Sequence, residues 1–189
     1  MINFHTARFI KSAFQKDDHL QDYPHILFIG KSNVGKSSLI NALTEQKNLA
    51  YVSKTPGMTK LVNYYLIDNK FYLVDVPGFG YRKLAYEKDS FETMMDDYLK
   101  NNISLKVVFY LLDSRREITL EEINVINYIN QLGYKVELLL TKCDKISQSE
   151  RAKLLSNLKK YSLDDYLFVS VNNNGYLQKV KQKISQYIE

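Results

Sequence analysis

Hydrophobic and polar positions follow two rhythms along this chain. Short apolar runs at Ile26–Ile29, Lys106–Leu112 and Lys135–Leu140 read as buried strands. Helical spacing runs from Thr119 to Leu132 and stops at Gly133. Ser37–Leu43, Glu150–Tyr161 and Tyr176–Ile188 read as further helices, and Tyr166–Val169 as a last strand. Leu61–Asp68 and Phe71–Val76 alternate with period two around Asp68-Asn69-Lys70, which predicts a hairpin. Asn48–Lys60 holds Pro56 and Gly57 and reads as a loop. Strands alternating with helices predict an α/β fold with a six-stranded, mostly parallel sheet and helices on both faces. The hairpin supplies one antiparallel edge strand. Ligands of such sheets sit beyond the carboxyl ends of the strands.

Composition sets outer bounds. A chain of 189 residues, 45% hydrophobic and 25% charged, predicts one globular domain with a sizeable core. No repeat or linker breaks it, and residues 1–22 read as a short N-terminal extension. No apolar run is long enough to span a bilayer, so no membrane partner is expected. The single Cys143 cannot form an internal disulfide, which fits a reducing cytoplasm. The formal net charge of +5 fits an anionic partner and fits a plain compositional bias equally well.

The sequence Gly30-Lys31-Ser32-Asn33-Val34-Gly35-Lys36-Ser37, followed by Ser38, matches a phosphate-binding loop. It stands between a predicted strand and a predicted helix, where backbone N–H groups and the helix dipole meet phosphate oxygens. Lys36 reaches the β- and γ-phosphates, and the Ser37 hydroxyl faces Mg²⁺. Asp75-Val76-Pro77-Gly78 ends a later strand. There Asp75 holds magnesium through a water, and the Gly78 amide meets the γ-phosphate. In the Asn48–Lys60 loop, Thr55 and Thr59 can each close on Mg²⁺, and Thr59 stands nearer the next strand.

Thr141-Lys142-Cys143-Asp144 follows the strand Val136–Leu140. A carboxylate at Asp144 accepts from the ring N–H and the exocyclic amine of guanine, which adenine cannot match. The Lys142 stem can lie over the base. Ser170 and Val171, after the last strand, can present backbone N–H to the guanine carbonyl. Three signatures in this order and spacing point to a GTPase, with GTP and GDP as ligands. Cys143 has no catalytic role in this reading. The three histidines show no metal-ligand spacing. Arg115-Arg116 reads as a loop cap or an RNA contact, and Lys179, Lys181 and Lys183 as a solvated face or an RNA contact.

These residues resemble one family. Phe9–Ala13, the Gly30–Ser38 loop with Leu39-Ile40-Asn41, Ser53–Thr59 and Asp75-x-Pro77-Gly78-x-Gly80-Tyr81 are similar to the EngB/YihA/YsxC family of bacterial GTP-binding proteins. The resemblance implies a P-loop NTPase G domain over 1–189 and a role in assembly of the large ribosomal subunit. It implies nucleotide contacts from Thr55, Pro56, Gly57, Met58 and Thr59, with magnesium at Thr59. Phe79 stands where Ras-like enzymes carry a water-orienting Gln. It cannot hydrogen-bond water, so slow hydrolysis is expected, with Lys36, Thr59 and Gly78 carrying the catalysis. By resemblance, Asn33 can hold K⁺ near the phosphates, or can only shape the loop. Arg82-Lys83 lies in the expected second switch, where it can meet ribosomal RNA phosphates in the GTP state.

Two other readings stay open. An ATP-dependent P-loop kinase leaves Thr141–Asp144 unexplained. A GTP-binding scaffold linked to cell division and septation needs no fast hydrolysis.

Overall fold

The computed structural model describes residues 1–13, 18–51, 61–79 and 85–189, with 85–92 as backbone only. Seven strands form one sheet: β1 (Arg8–Ala13), β2 (His25–Gly30), β3 (Val62–Ile67), β4 (Phe71–Asp75), β5 (Leu105–Asp113), β6 (Val136–Thr141) and β7 (Tyr166–Phe168). Their spatial order is β1-β3-β4-β2-β5-β6-β7. Five α-helices accompany them among the described residues: α1 (Lys36–Thr44), α2 (Ala85–Asn101), α3 (Leu120–Gln131), α4 (Gln148–Lys159) and α5 (Asn174–Ile188).

The sheet has seven strands where the pattern predicts six. The added strand is β1, which pairs antiparallel with β3. β3 alone therefore runs against the others, and it lies one strand in from the edge rather than at it. The reason is visible in the residues. β1 buries only Ala13 fully and has an irregular register between Phe9 and Lys11, so it carries no alternating apolar signal. It joins the sheet through the open backbone of β3. The hairpin stands as read, with Asp68 and Asn69 both in the left-handed region at φ 52° and 50°. The 17-residue α2 has no counterpart in the pattern reading.

Side chains alternate across the sheet. Leu27, Ile29, Val108, Tyr110 and Leu112 face α2, α3 and α4, meeting Tyr98, Ile126 and Leu154. Ile26, Phe28, Val107, Phe109 and Leu111 face α1 and α5, meeting Leu39, Leu43 and Val180. Burial on both faces explains why β2 and β5 read as unbroken apolar runs. Burying each such side chain is worth about 1.5–3 kcal/mol. Helix starts follow their caps. Thr119 with Glu122, and Ser147 with Glu150, form capping boxes, and Asn173 caps α5. The Ser147 cap places the start of α4 two residues before the predicted Glu150.

No helix among the described residues is long and apolar enough to cross a membrane.

Candidate nucleotide-binding site

The parallel strands β4, β2, β5, β6 and β7 end at one edge of the sheet. That edge carries Asp75, the Gly30–Ser37 loop, Asp113, Thr141 and, after β7, Ser170. The sequence signatures thus converge. Thr55, Pro56, Gly57, Met58 and Thr59 lie outside the described residues, as do Gly80, Tyr81, Arg82 and Lys83.

Gly30 ends β2 against β5, where a Cβ would stand 2.7 Å from the Leu111 carbonyl oxygen. Only glycine fits so close to a neighbouring backbone. Asn33 and Gly35 then adopt positive φ, 63° and 111°, which turns the chain into α1. The start of α1 differs from those of α3, α4 and α5. Gly35 supplies no capping side chain where Thr119, Ser147 and Asn173 do, and, as in α5, no acidic residue lies in the first turn. The first N–H groups of α1 therefore keep their capacity to bind an anion. Ser38 lies in that same first turn.

Lys36 is buried, with Nζ 3.4 Å from the Gly30 carbonyl oxygen. Burial lowers its pKa, and the charge of Asp75 works the other way. A buried cation at an uncapped helix start suits a phosphate group. Ser37 Oγ donates to Asp75 Oδ2 at 3.3 Å, while Asp75 Oδ1 is buried without a hydrogen-bond partner among the described residues. Burial pushes the Asp75 carboxyl up to about 6, against the pull of Lys36 and Ser37. A hydroxyl beside an orphaned carboxylate oxygen is a hard oxygen-donor set, and it fits Mg²⁺.

Val76, Pro77 and Gly78 carry the chain from β4 onto the phosphate loop. Ser32 N–H donates to the Phe79 carbonyl at 3.1 Å, and Ser32 Oγ to the Gly78 carbonyl at 3.2 Å. The Phe79 side chain is buried and packs 6.2 Å from the Tyr110 ring. It points into the core rather than toward the loop. The Lys31 side chain also turns away from the loop, donating to Thr119 Oγ1 at 2.9 Å and pairing with Glu121 and Glu122.

The Thr141 side chain is buried and donates to the carbonyls of Val34 at 2.8 Å and Leu112 at 3.2 Å. Lys142, at φ 57°, donates to the Asn33 carbonyl at 2.7 Å and to Asp113 Oδ2 at 2.8 Å. A hydrogen bond from Ser170 lowers the pKa of Asp144, so the carboxylate is charged and oriented. Val171, next in the chain after Ser170, is exposed. Burial pushes the Cys143 thiol up, which keeps it a poor nucleophile.

Two features escape the motif reading. Asp113 is buried at the end of β5, under Arg115 and Lys142. Glu122 is buried in α3 under Lys31. An acidic residue closing an apolar strand, as Asp75 does, is the signal that could have found Asp113. Two of the three lysines of α5 are also engaged: Lys181 pairs with Glu45 and Lys183 with the buried Glu137.

A model of the family described as "50S ribosome-binding GTPase" matches residues 25–142. The chain belongs to the EngB family of P-loop GTPases. It is 44% identical over 174 residues to the probable GTP-binding protein EngB of Clostridium beijerinckii, covering 88% of each chain. To the probable GTP-binding protein EngB of Lactobacillus helveticus it is 43% identical over 168 residues, covering 88% and 86%. Solved structures share this fold. A probable GTP-binding protein engB superposes with TM-score 0.66 at 21% identity, over 87% of this chain and 98% of that one. Era in complex with MgGDPNP and 16S ribosomal RNA nucleotides superposes with TM-score 0.67 at 22% identity, over 90% and 58%.

Proposed function

We propose that this chain is a single G domain that binds GTP and GDP, hydrolyses GTP slowly, and switches between states during assembly of the large ribosomal subunit. The observation that carries this is the uncapped start of α1, with buried Lys36 beneath it and the orphaned Asp75 oxygen beside Ser37. In this reading Lys36 meets the β- and γ-phosphates, and the N–H groups of residues 33–38 surround them. Ser37 would hold Mg²⁺ directly and Asp75 through water, with Thr59 joining in the GTP state. The magnesium ion would neutralise charge between the β- and γ-phosphates. Gly78 N–H binds the γ-phosphate. Asp144 accepts from guanine, the Lys142 stem covers the base, and Ser170 and Val171 offer N–H to its carbonyl.

Phe79 supplies no group that orients water, so turnover is slow. The exposed Asn33 carboxamide would hold K⁺, which would add positive charge at the phosphates. The γ-phosphate orders the two loops around Thr59 and Gly78, and the ordered surface binds the ribosomal precursor. The chain acts as a cytoplasmic monomer with no membrane partner.

Co-sedimentation with large ribosomal subunits tests this, comparing GDP with a non-hydrolysable GTP analogue at physiological salt. Binding with the GTP analogue alone is expected. Equal or absent binding, with GTP affinity intact, removes the ribosomal role. Stronger competition by ATP than by GTP removes the guanine reading.

A further inference from the structure

Base loop and phosphate loop are joined by two consecutive hydrogen bonds. Thr141 Oγ1 holds the Val34 carbonyl and Lys142 Nζ holds the Asn33 carbonyl. A peptide unit is planar, so fixing its carbonyl on one side turns its N–H to the other. The Val34–Gly35 peptide, anchored by Thr141, therefore directs the Gly35 N–H away from the base loop.

Lys142 is a long, rotatable side chain, and a single carbonyl does not define its position. Asp113 supplies the second point. Its Oδ2 takes the Lys142 ammonium at 2.8 Å, and Arg115 grips both oxygens, Nε to Oδ1 at 2.9 Å and Nη2 to Oδ2 at 2.8 Å. The Arg115 backbone N–H adds a third bond to Oδ1 at 3.1 Å. Backbone geometry fixes the carboxylate further. Asp113 is the register partner of Thr141, and the Ser114 N–H donates to the Thr141 carbonyl at 2.9 Å. The carboxylate is buried while Arg115 is half-exposed, so the clamp reaches from the surface into the site.

We propose that Asp113, clamped by Arg115, is a positioning residue that fixes Lys142 across the phosphate loop, and so couples guanine recognition to retention of the phosphates. Asp113 touches no part of the nucleotide in this arrangement and acts only through Lys142. The inference rests on the placement of the nucleotide proposed above. GDP and GTP share the groups involved, so the device acts on both equally.

The test measures affinity and dissociation of fluorescent GDP and of a fluorescent non-hydrolysable GTP analogue. Asp113→Asn keeps the shape and removes the charge. Loss of a charge-assisted bond predicts about tenfold or greater weakening for both nucleotides, through faster dissociation. In a Lys142→Met background, Asp113→Asn is expected to cause no further weakening. A merely structural role for Asp113 predicts additive losses instead, and additive losses overturn the proposal. Unchanged dissociation in Asp113→Asn alone also overturns it. Arg115→Ala, at a half-exposed site, carries the same test if Asp113→Asn does not fold; it predicts a smaller loss that likewise vanishes in Lys142→Met. Normal nucleotide binding by Lys142→Met itself overturns the placement of the nucleotide, and this inference with it.

Discussion

The Ser37 hydroxyl donates to Asp75 Oδ2 at 3.3 Å, while the other oxygen of that carboxylate is buried without a partner among the described residues. A charge held this way destabilises the fold until a cation arrives. Burial raises the Asp75 pKa from 3.8 to about 6. Between those values the folded chain keeps a proton that the unfolded chain has lost. Without nucleotide or magnesium, this group therefore makes stability fall as pH rises through that window. His25 works in the opposite sense. It is buried at the far end of β2, and burial lowers its pKa from 6.5 to about 4. Nδ1 accepts from Asn102 Nδ2 at 2.9 Å and lies 2.9 Å from the Tyr98 hydroxyl, so the neutral ring fits. Its contribution rises with pH across 4 to 6.5. The two nearly cancel in the parent chain. Asp75→Asn is expected to unmask the histidine slope, adding up to about 2 kcal/mol to the gain in stability between pH 4.5 and 6.5. Urea midpoints at the two pH values check this, and a slope equal to the parent's refutes the raised carboxyl.

Lys31 stands inside the phosphate loop, yet its charge serves α3. It bonds Thr119 Oγ1 and pairs with the buried Glu122 at 3.6 Å, whose Oε1 has no partner among the described residues. Lys31→Met is expected to cost about 1–3 kcal/mol, because a buried carboxylate loses its cation. Lys31→Arg is expected to gain up to about 1 kcal/mol, since a guanidinium fork can reach both oxygens. Denaturant midpoints separate the two, and a loss with arginine as large as with methionine contradicts the account.

Gly78 meets the phosphate loop more closely than any side chain allows. A Cβ there would stand 2.6 Å from Ser32 Cα and 2.7 Å from Ser32 N. Both are backbone atoms and cannot swing aside. Gly78→Ala is expected to part the two segments and break the Ser32 bonds to Gly78 and Phe79, costing about 1–3 kcal/mol. That corresponds to a fall in Tm of about 2–12 °C for a chain of this size. An unchanged Tm would mean that the contact between Gly78 and Ser32 is not the resting arrangement.

Much of this molecule was legible before its structure. Strands buried on both faces announce themselves as apolar runs, so β2, β5 and β6 were plain, and β2 and β6 each led directly to a signature. The edge strand β1 was not, because Arg8–Ala13 pairs through backbone and buries little. Within the site, residue types were readable and directions were not. Lys31 belongs to the loop motif but points into α3, and Thr141 belongs to the base motif but bonds the phosphate loop. Asp113 and Glu122 were missed because each gains its meaning from a cation distant in sequence, Lys142 and Lys31. Sequence spacing carries no record of such pairings until the sheet order is known.

Thr141→Val isolates the bond between the two loops with almost no change of shape. The Thr141 hydroxyl is buried and donates at 2.8 Å to the Val34 carbonyl. Valine fills the same space and leaves that carbonyl without its donor, at a cost of about 1–2 kcal/mol. In the unliganded chain this appears as lower stability. The Val34–Gly35 peptide is then freer to rotate, so its N–H is less well aimed, and nucleotide release quickens by about tenfold. Thr141→Ser keeps the hydroxyl and is expected to retain slow release while losing some stability from the missing methyl. Stopped-flow release of fluorescent GDP from the three proteins decides the point. Serine releasing as fast as valine would show that packing at Thr141, rather than its hydrogen bond, holds the phosphate loop.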